Sequence, residues 1–138
     1  MDSIIAMSMP FVIHLHRRDD DEHYDLMLAP PSAGADDANA PLATWRLPDD
    51  PAGLAEDASM PAARIQDHGR HFLTYEGPLR QDRGEVRIVH RGRYEAEQAG
   101  HEQWVFSMRG SRLRGRFQLR HAGGDAWRLT RLRRAAPA

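Results

Sequence analysis

Two histidines and an aspartate near the start of the chain, His16, His23 and Asp25, have the residue types and spacing of a metal site. The segments that carry them, residues 11–16 and 23–28, alternate with a period of two, which is typical of half-buried strands. The polar connector at 17–22 predicts the tip of a hairpin. Pairing the two segments can bring the three side chains onto one face, where two imidazoles and a carboxylate suit Mn²⁺ or Zn²⁺. The same groups can instead hydrogen-bond to one another, so both interpretations stay open.

A second metal template competes for this segment. His14 and His16 form a His-x-His pair, and Glu22 follows six residues later. This arrangement is similar to the metal motif of cupins, although Glu22 lies one or two residues too far along the chain and no second cupin motif follows. A cupin-like metalloprotein is therefore an alternative that matches fewer residues.

Beyond the hairpin the sequence predicts a mainly β chain. Residues 48–62 are predicted to form a loop, and Gly92-Arg93-Tyr94 to follow a turn. Short strands are predicted at residues 42–47, 85–90, 103–108, 113–119 and 126–132. Short strands separated by turn residues, with little helical periodicity, indicate an antiparallel barrel or sandwich.

The composition limits the classes of protein that this chain can be. Its 138 residues suit a single domain with a substantial core. The absence of cysteine excludes disulfides and thiolate metal ligands. No apolar run approaches the roughly 20 residues of a membrane span, and residues 1–10 lack the features of a signal peptide. We therefore expect a cytoplasmic protein with no membrane partner.

The net charge of −1 conceals opposite charges in the two halves of the chain. Residues 1–69 hold 13 acidic and 4 basic side chains, a net charge of −9, whereas residues 70–138 hold 7 acidic and 15 basic ones, a net charge of +8. All 19 basic residues are arginine, whose planar fork suits phosphate. Arg112, Arg114 and Arg116 share the outward face of a predicted strand and form a candidate stripe for a nucleic-acid backbone. An ordinary solvated strand also presents such a stripe.

Further motifs extend the pattern over nearly the whole chain. The hairpin supplies Phe11-Val12, His16 and His23-Tyr24-Asp25-Leu26. These are followed by Trp45, Asp67-His68, Tyr75-Glu76-Gly77, Gly84-Glu85-Val86, Leu113-Arg114-Gly115-Arg116-Phe117-Gln118-Leu119 and Trp127. In its order and spacing the set resembles the 3′-phosphoesterase domain of bacterial DNA ligase D, from about residue 11 to residue 132.

The resemblance implies a fold and an activity. The fold would be a single-domain antiparallel β-barrel with short flanking helices over residues 11–132, between an N-terminal extension at 1–10 and a frayed tail at 133–138. The activity would be manganese-dependent removal of a 3′-ribonucleoside and then the 3′-phosphate from DNA or RNA–DNA 3′ ends, with end-joining repair proteins among the expected partners. By position, His16, His23 and Asp25 would hold the metal, and His68 would be the catalytic residue at the scissile phosphate.

Part of the family's phosphate-binding set is replaced in this chain. Met27 stands where the family carries an arginine, and Phe72 where it carries a tyrosine. The candidate substrate-binding residues here are His14, Arg64, Arg70 and Phe72. A phosphoryl site that loses such donors loses much of its rate. Two alternatives therefore remain: a non-catalytic module that binds DNA ends or a repair partner, and a metalloenzyme that acts on another phosphate ester or on a non-phosphate substrate.

Overall fold

The computed structural model describes residues 8–31 and 39–134, which are mainly β-structure. Nine strands occur in these residues: β1 Ser8–Arg18, β2 Asp21–Leu28, β3 Leu42–Leu47, β4 Ser59–His68, β5 Gly77–Pro78, β6 Glu85–Ala99, β7 Gln103–Gly110, β8 Arg114–Gly123 and β9 Ala126–Arg131. The same residues contain no α-helix, and their helical structure includes 3₁₀ turns at Pro51–Gly53 and Arg70–Leu73. The mainly β prediction is confirmed, and the implied flanking helices are not found in the described ranges. No helix there is long and apolar enough to cross a membrane.

All nine strands belong to one antiparallel sheet. Its order is β1-β2-β3-β4-β9-β8-β7-β6-β5, and β1 also pairs with β6, from Ser8 to Arg17. The hydrogen bonding therefore closes into a ring of eight strands, to which β5 adds two residues beside β6. In this ring β8 lies across from the β1–β2 hairpin, because β3, β4 and β9 separate it from β2.

One apolar core joins strands from around the ring. Trp45 of β3 packs edge-to-face on Trp104 of β7 and Trp127 of β9, with ring centroids 5.3 and 5.6 Å apart. Phe106 of β7 stacks on Phe117 of β8 at 6.2 Å. Since these aromatic residues are buried, the core fixes β3, β7, β8 and β9 relative to one another.

The first two strands form the predicted hairpin. β1 pairs with β2 so that His14 faces Asp25 and His16 faces His23. The chain reverses at Asp19 and Asp20, and Asp19 adopts a left-handed φ of 54°, which aspartate tolerates better than most residues. The hairpin thereby places two histidines and a carboxylate on one face of adjacent strands.

β4 begins within the predicted loop at 48–62. Met60 and Ala62 face the core, whereas Pro61 between them and Ala63 after them are exposed. The strand was missed in the sequence because its exposed positions include a proline and an alanine. These residues are too apolar to produce the alternation of apolar and polar residues that marks a strand.

β6 runs from Glu85 to Ala99 without the turn that was predicted just before Gly92. A Cβ added there would lie 2.2 Å from the carbonyl oxygen of Arg109 on β7. Gly92 therefore permits a close approach of two backbones, which is a known role of glycine inside a strand.

The chain ends also differ from the predicted boundaries. β1 begins at Ser8, which pairs with Glu95, so residues 8–10 belong to the sheet. Near the other end Arg133 donates to Asp57, with 3.0 Å from Nε to Oδ2, and the Arg134 backbone N–H donates to Glu56. The rest of the predicted extension and tail, residues 1–7 and 135–138, lies outside the described residues.

Candidate metal centre

The structure brings His16, His23 and Asp25 together on the hairpin. His16 Nδ1 lies 3.0 Å from His23 Nε2 and 3.7 Å from Asp25 Oδ2. His23 Nε2 lies 3.4 Å from Asp25 Oδ1. One potential ligand atom from each residue falls within 4.8 Å of the others. The strand register explains the convergence, because His16 and His23 are directly opposed and Asp25 is the next residue on the same face of β2.

The electrostatics of this group fit a divalent cation. Asp25 is 3% exposed, and its Oδ1 is buried with no hydrogen-bond partner in residues 8–31 and 39–134. A buried polar atom without a partner costs free energy. A cation at Oδ1 would remove that cost, and two imidazole nitrogens with a carboxylate are a donor set that Mn²⁺ and Zn²⁺ accept.

Neighbouring acceptors orient both imidazoles. His16 Nε2 lies 2.7 Å from the carbonyl oxygen of Arg83, which can only accept, so Nε2 carries the proton and donates it. His16 Nδ1 is then left as the nitrogen that faces His23 and Asp25. His23 turns Nε2 to the group and Nδ1 toward Asp21 Oδ2, at 3.7 Å. Carbonyl and carboxylate acceptors behind the ring are typical of metal-binding histidines.

Glu22 takes no part in this group. It forms an ion pair with Arg17 across the hairpin tip, with 2.6 Å between Nε and Oε2, and both side chains are about half exposed. Within the described residues the geometry therefore favours His23 and Asp25, instead of Glu22, as the partners of His16, which speaks against the cupin-like alternative.

His14 connects the candidate ligands to the ring of Phe72. His14 is the cross-strand neighbour of Asp25, and its Nε2 is buried without a partner in the described part of the chain. Phe72, in the 3₁₀ turn Arg70–Leu73, has its ring centroid 5.9 Å from that of His14 and 5.5 Å from that of His68. Burial lowers the pKa of His14, against the opposing effects of a hydrogen bond with the Phe72 backbone and the charge of Asp25.

His68 stands at the end of β4 and is half-buried. Its Nδ1 lies 2.8 Å from the carbonyl oxygen of Gln66 and therefore donates to it. The other nitrogen, Nε2, remains available to a ligand. The structure thus groups His14, His68 and Phe72, and His14 joins this group to Asp25 across the hairpin.

The candidate arginines of β4 and the 3₁₀ turn are placed differently. Arg64 donates to the carbonyl oxygens of Thr44 and Ile65, pairs with Asp67 at 2.9 Å and lies over the Trp45 ring. It is therefore already engaged within the fold. Arg70 shares the 3₁₀ turn with Phe72, and its Nη1 is buried without a partner among the described residues.

The predicted basic stripe lies away from this group. Arg114 and Arg116 are on β8, across the ring from β1 and β2, and Arg112 precedes them in the β7–β8 turn. Arg116 forms two hydrogen bonds with Glu97, at 2.7 and 2.9 Å. A ligand bound at the candidate metal centre can therefore contact the stripe only if it extends around the molecule.

Two contributors were missed in the sequence. Arg46 is the cross-strand neighbour of Asp25 on β3, with its Nε 3.8 Å from Asp25 Oδ1. The Arg83 backbone orients His16 from 67 residues away. Arg46 could have been found by pairing the strand at 42–47 with the hairpin in register, whereas no sequence pattern signals a carbonyl group.

Comparison with protein families identifies a match for this chain. A family model described as "DNA Ligase D 3'-phosphoesterase domain" matches residues 13–121. The match covers most of the chain and includes every residue of the candidate centre described above. No curated protein matches the chain.

Proposed function

The chain belongs to the DNA ligase D 3′-phosphoesterase domain family, and on that basis we propose that it is a divalent-metal-dependent phosphoesterase of nucleic-acid 3′ ends. It would remove a 3′-ribonucleoside and then the 3′-phosphate during DNA repair. The observation that carries the proposal is the convergence of His16, His23 and Asp25 within 4.8 Å. DNA or RNA–DNA 3′ ends, and end-joining repair proteins, are its proposed partners.

Each side chain around the centre would have a different role in the reaction. His16 Nδ1, His23 Nε2 and one Asp25 oxygen would hold the ion, and three protein ligands leave positions for phosphate oxygens. A bound Mn²⁺ or Zn²⁺ ion would polarise the phosphoryl group. In its imidazolium form, in which both ring nitrogens carry a proton, His68 would donate a hydrogen bond or a proton from Nε2 to an oxygen that gains negative charge. Arg46, half-exposed beside Asp25, would attract the anionic strand.

The structure also explains why we expect a modest rate. Met27 is fully buried on β2 and has no donor. Phe72 reaches the centre between His14 and His68 but has no hydroxyl group. Fewer hydrogen-bond donors would therefore stabilise the negative charge that develops on the phosphate than in relatives that have arginine and tyrosine at these positions.

The test is turnover of duplex DNA ends that carry a 3′-phosphate or a single 3′-ribonucleotide, with added Mn²⁺ or with chelator. His23→Ala should lose both stoichiometric metal binding and turnover. His68→Ala should keep the metal and lose turnover by roughly 10²-fold or more. His101→Ala, a matched control on the exposed turn between β6 and β7, should change neither quantity.

The outcomes separate this proposal from its alternatives. Metal binding and DNA-end binding without turnover would favour the non-catalytic module. Turnover of other phosphate esters, but not of 3′ ends, would favour a metalloenzyme with a different substrate. Unchanged metal content in His23→Ala would contradict the assignment of the ligands.

A further inference from the structure

The segment that follows His68 encloses a cavity next to the candidate metal centre. Its volume is about 610 Å³, within the roughly 300–1,000 Å³ typical of small-molecule sites. The walls include three aromatic or imidazole rings and two guanidinium groups, from His71, Phe72, Tyr75, Arg80 and Arg83. None of these residues except Phe72 has a role in the function proposed above through its side chain.

The cavity and the metal centre share a wall. On one side the Phe72 ring meets His14 and His68, and on the other it meets His71 at 4.2 Å and Tyr75 at 6.0 Å. Arg83 also belongs to both sites. Its backbone carbonyl group orients His16, and the same residue lines the cavity. Phe72 and Arg83 therefore each contact both the cavity and a residue at the candidate centre.

The ring of Tyr75 is held in place before any ligand binds. Its hydroxyl group donates to the carbonyl oxygen of Pro78. Gly77 between them has φ 138°, and a Cβ there would lie 3.0 Å from the tyrosine oxygen. A ring fixed in this way loses little conformational entropy when a planar ligand stacks on it.

The two arginines give the cavity a positive charge. Both are exposed, and Arg83 Nε donates to the carbonyl oxygen of Arg80 at 3.2 Å. In residues 8–31 and 39–134, neither guanidinium group forms an ion pair with a carboxylate. Planar guanidinium groups bind phosphate and also stack on nucleobases.

We infer that this cavity binds the nucleobase of the 3′-terminal nucleotide while the 5′-phosphate of that nucleotide lies at the metal centre. Stacking of a base on aromatic side chains contributes roughly 1–3 kcal/mol per base and tolerates any sequence. The inference rests on the proposed function and adds a base-binding subsite to it, with the consequence that ends that retain a terminal nucleoside are bound better than ends with a bare 3′-phosphate.

Calorimetric titration in the presence of Mn²⁺ tests the inference with two probes, adenosine 5′-monophosphate and ribose 5-phosphate, which differ only by the base. The wild type should bind the nucleotide roughly 5- to 150-fold more tightly, the equivalent of one stacked base. Tyr75→Leu should bring this ratio close to one without weakening ribose 5-phosphate, whereas Tyr75→Phe, which keeps the ring, should preserve it. If Tyr75→Leu does not fold, His71→Ala replaces it, because His71 is exposed and its loss should also lower the ratio.

The titrations and the turnover assay can fail independently. A base-dependent ratio that needs Tyr75, in a protein without turnover, would support the cavity assignment and reject the proposed activity. Turnover with a ratio near one, or with a ratio that Tyr75→Leu and His71→Ala leave unchanged, would overturn the cavity assignment. Failure of the nucleotide to bind would overturn it as well.

Discussion

At the scale of single residues, the charge of Asp25 matters most. The carboxylate is buried and one of its oxygens has no partner among the described residues. Asp25→Asn keeps the shape but removes the charge, so we expect Mn²⁺ affinity to fall by roughly 100-fold or more, beyond the effect typical of residues behind the ligands. Calorimetry of the metal-free protein measures this change.

Asp21 offers the matched control. It is exposed and lies behind His23, with Oδ2 3.7 Å from His23 Nδ1. Asp21→Asn should cost about 10-fold in affinity, as a residue that only orients a ligand does. Equal effects of the two substitutions, or none, would contradict the assignment of Asp25 as a ligand.

Phe72 is the position at which we expect an added hydroxyl group to increase charge stabilisation at the centre. Phe72→Tyr places a hydroxyl group beside His14 and His68, and we expect kcat for 3′-phosphate release to rise by about 10-fold, with little change in KM. Steady-state kinetics measure the effect, and His68→Ala should remove turnover in either background. A slower Phe72→Tyr enzyme would show that the phenyl ring itself is needed. Met27→Arg is a poorer test, because Met27 is fully buried and a buried guanidinium group destabilises the fold.

At the scale of elements, the loop between β5 and β6 determines the orientation of His16. Gly84 follows Arg83 and has φ 92°, and a Cβ there would lie 2.0 Å from the carbonyl oxygen of Arg17. Gly84→Ala must therefore move the loop away from β1, together with the Arg83 carbonyl group. We expect a loss of more than about 1 kcal/mol in the free energy of unfolding and a weaker metal site.

Gly124→Ala separates backbone strain from this contact. Gly124 also has a positive φ, of 55°, but a Cβ there would meet no atom within 4 Å. Thermal unfolding should show a cost of about 1 kcal/mol from the strained backbone alone, and Mn²⁺ titration should show no change. If both variants lost metal affinity equally, the loop would not be what orients His16.

At the scale of the whole molecule, the closed ring places the candidate metal centre and the basic stripe on different sides. Replacing Arg112, Arg114 and Arg116 by Gln should leave kcat on a short 3′-phosphate substrate unchanged. If the stripe binds a DNA backbone, the salt dependence of duplex binding should become shallower. Each lost phosphate contact changes the slope of log K against log salt by about 0.9.

We expect a change in that slope of about two units instead of three, because Arg116 is engaged by Glu97. The hydrogen bond from Arg116 lowers the pKa of Glu97, so the carboxylate remains ionised, and the pair intact, at neutral pH. Fluorescence anisotropy over a range of salt concentrations measures the slope. An unchanged slope would show that the stripe is an ordinary solvated surface.

The sequence by itself determined the family, the hairpin and most of the strands. The family follows from motifs whose order and spacing are properties of the chain, and the match over residues 13–121 confirms it. The pairing of His16 with His23 follows from a polar connector of fixed length and a side-chain period of two. These features are local, so neighbouring residues are sufficient to specify them.

Only the tertiary structure decided what surrounds the hairpin. β4 could not be distinguished from a loop, because its exposed positions include Pro61 and Ala63. A turn was wrongly predicted just before Gly92, since the Arg109 backbone that requires a glycine there is 17 residues away. The Arg83 carbonyl group behind His16, the cavity beside Phe72 and the separation of the stripe from the centre likewise depend on closure of the sheet. Such contacts join residues far apart in the chain, and a local sequence pattern does not specify which distant backbone will pack against it.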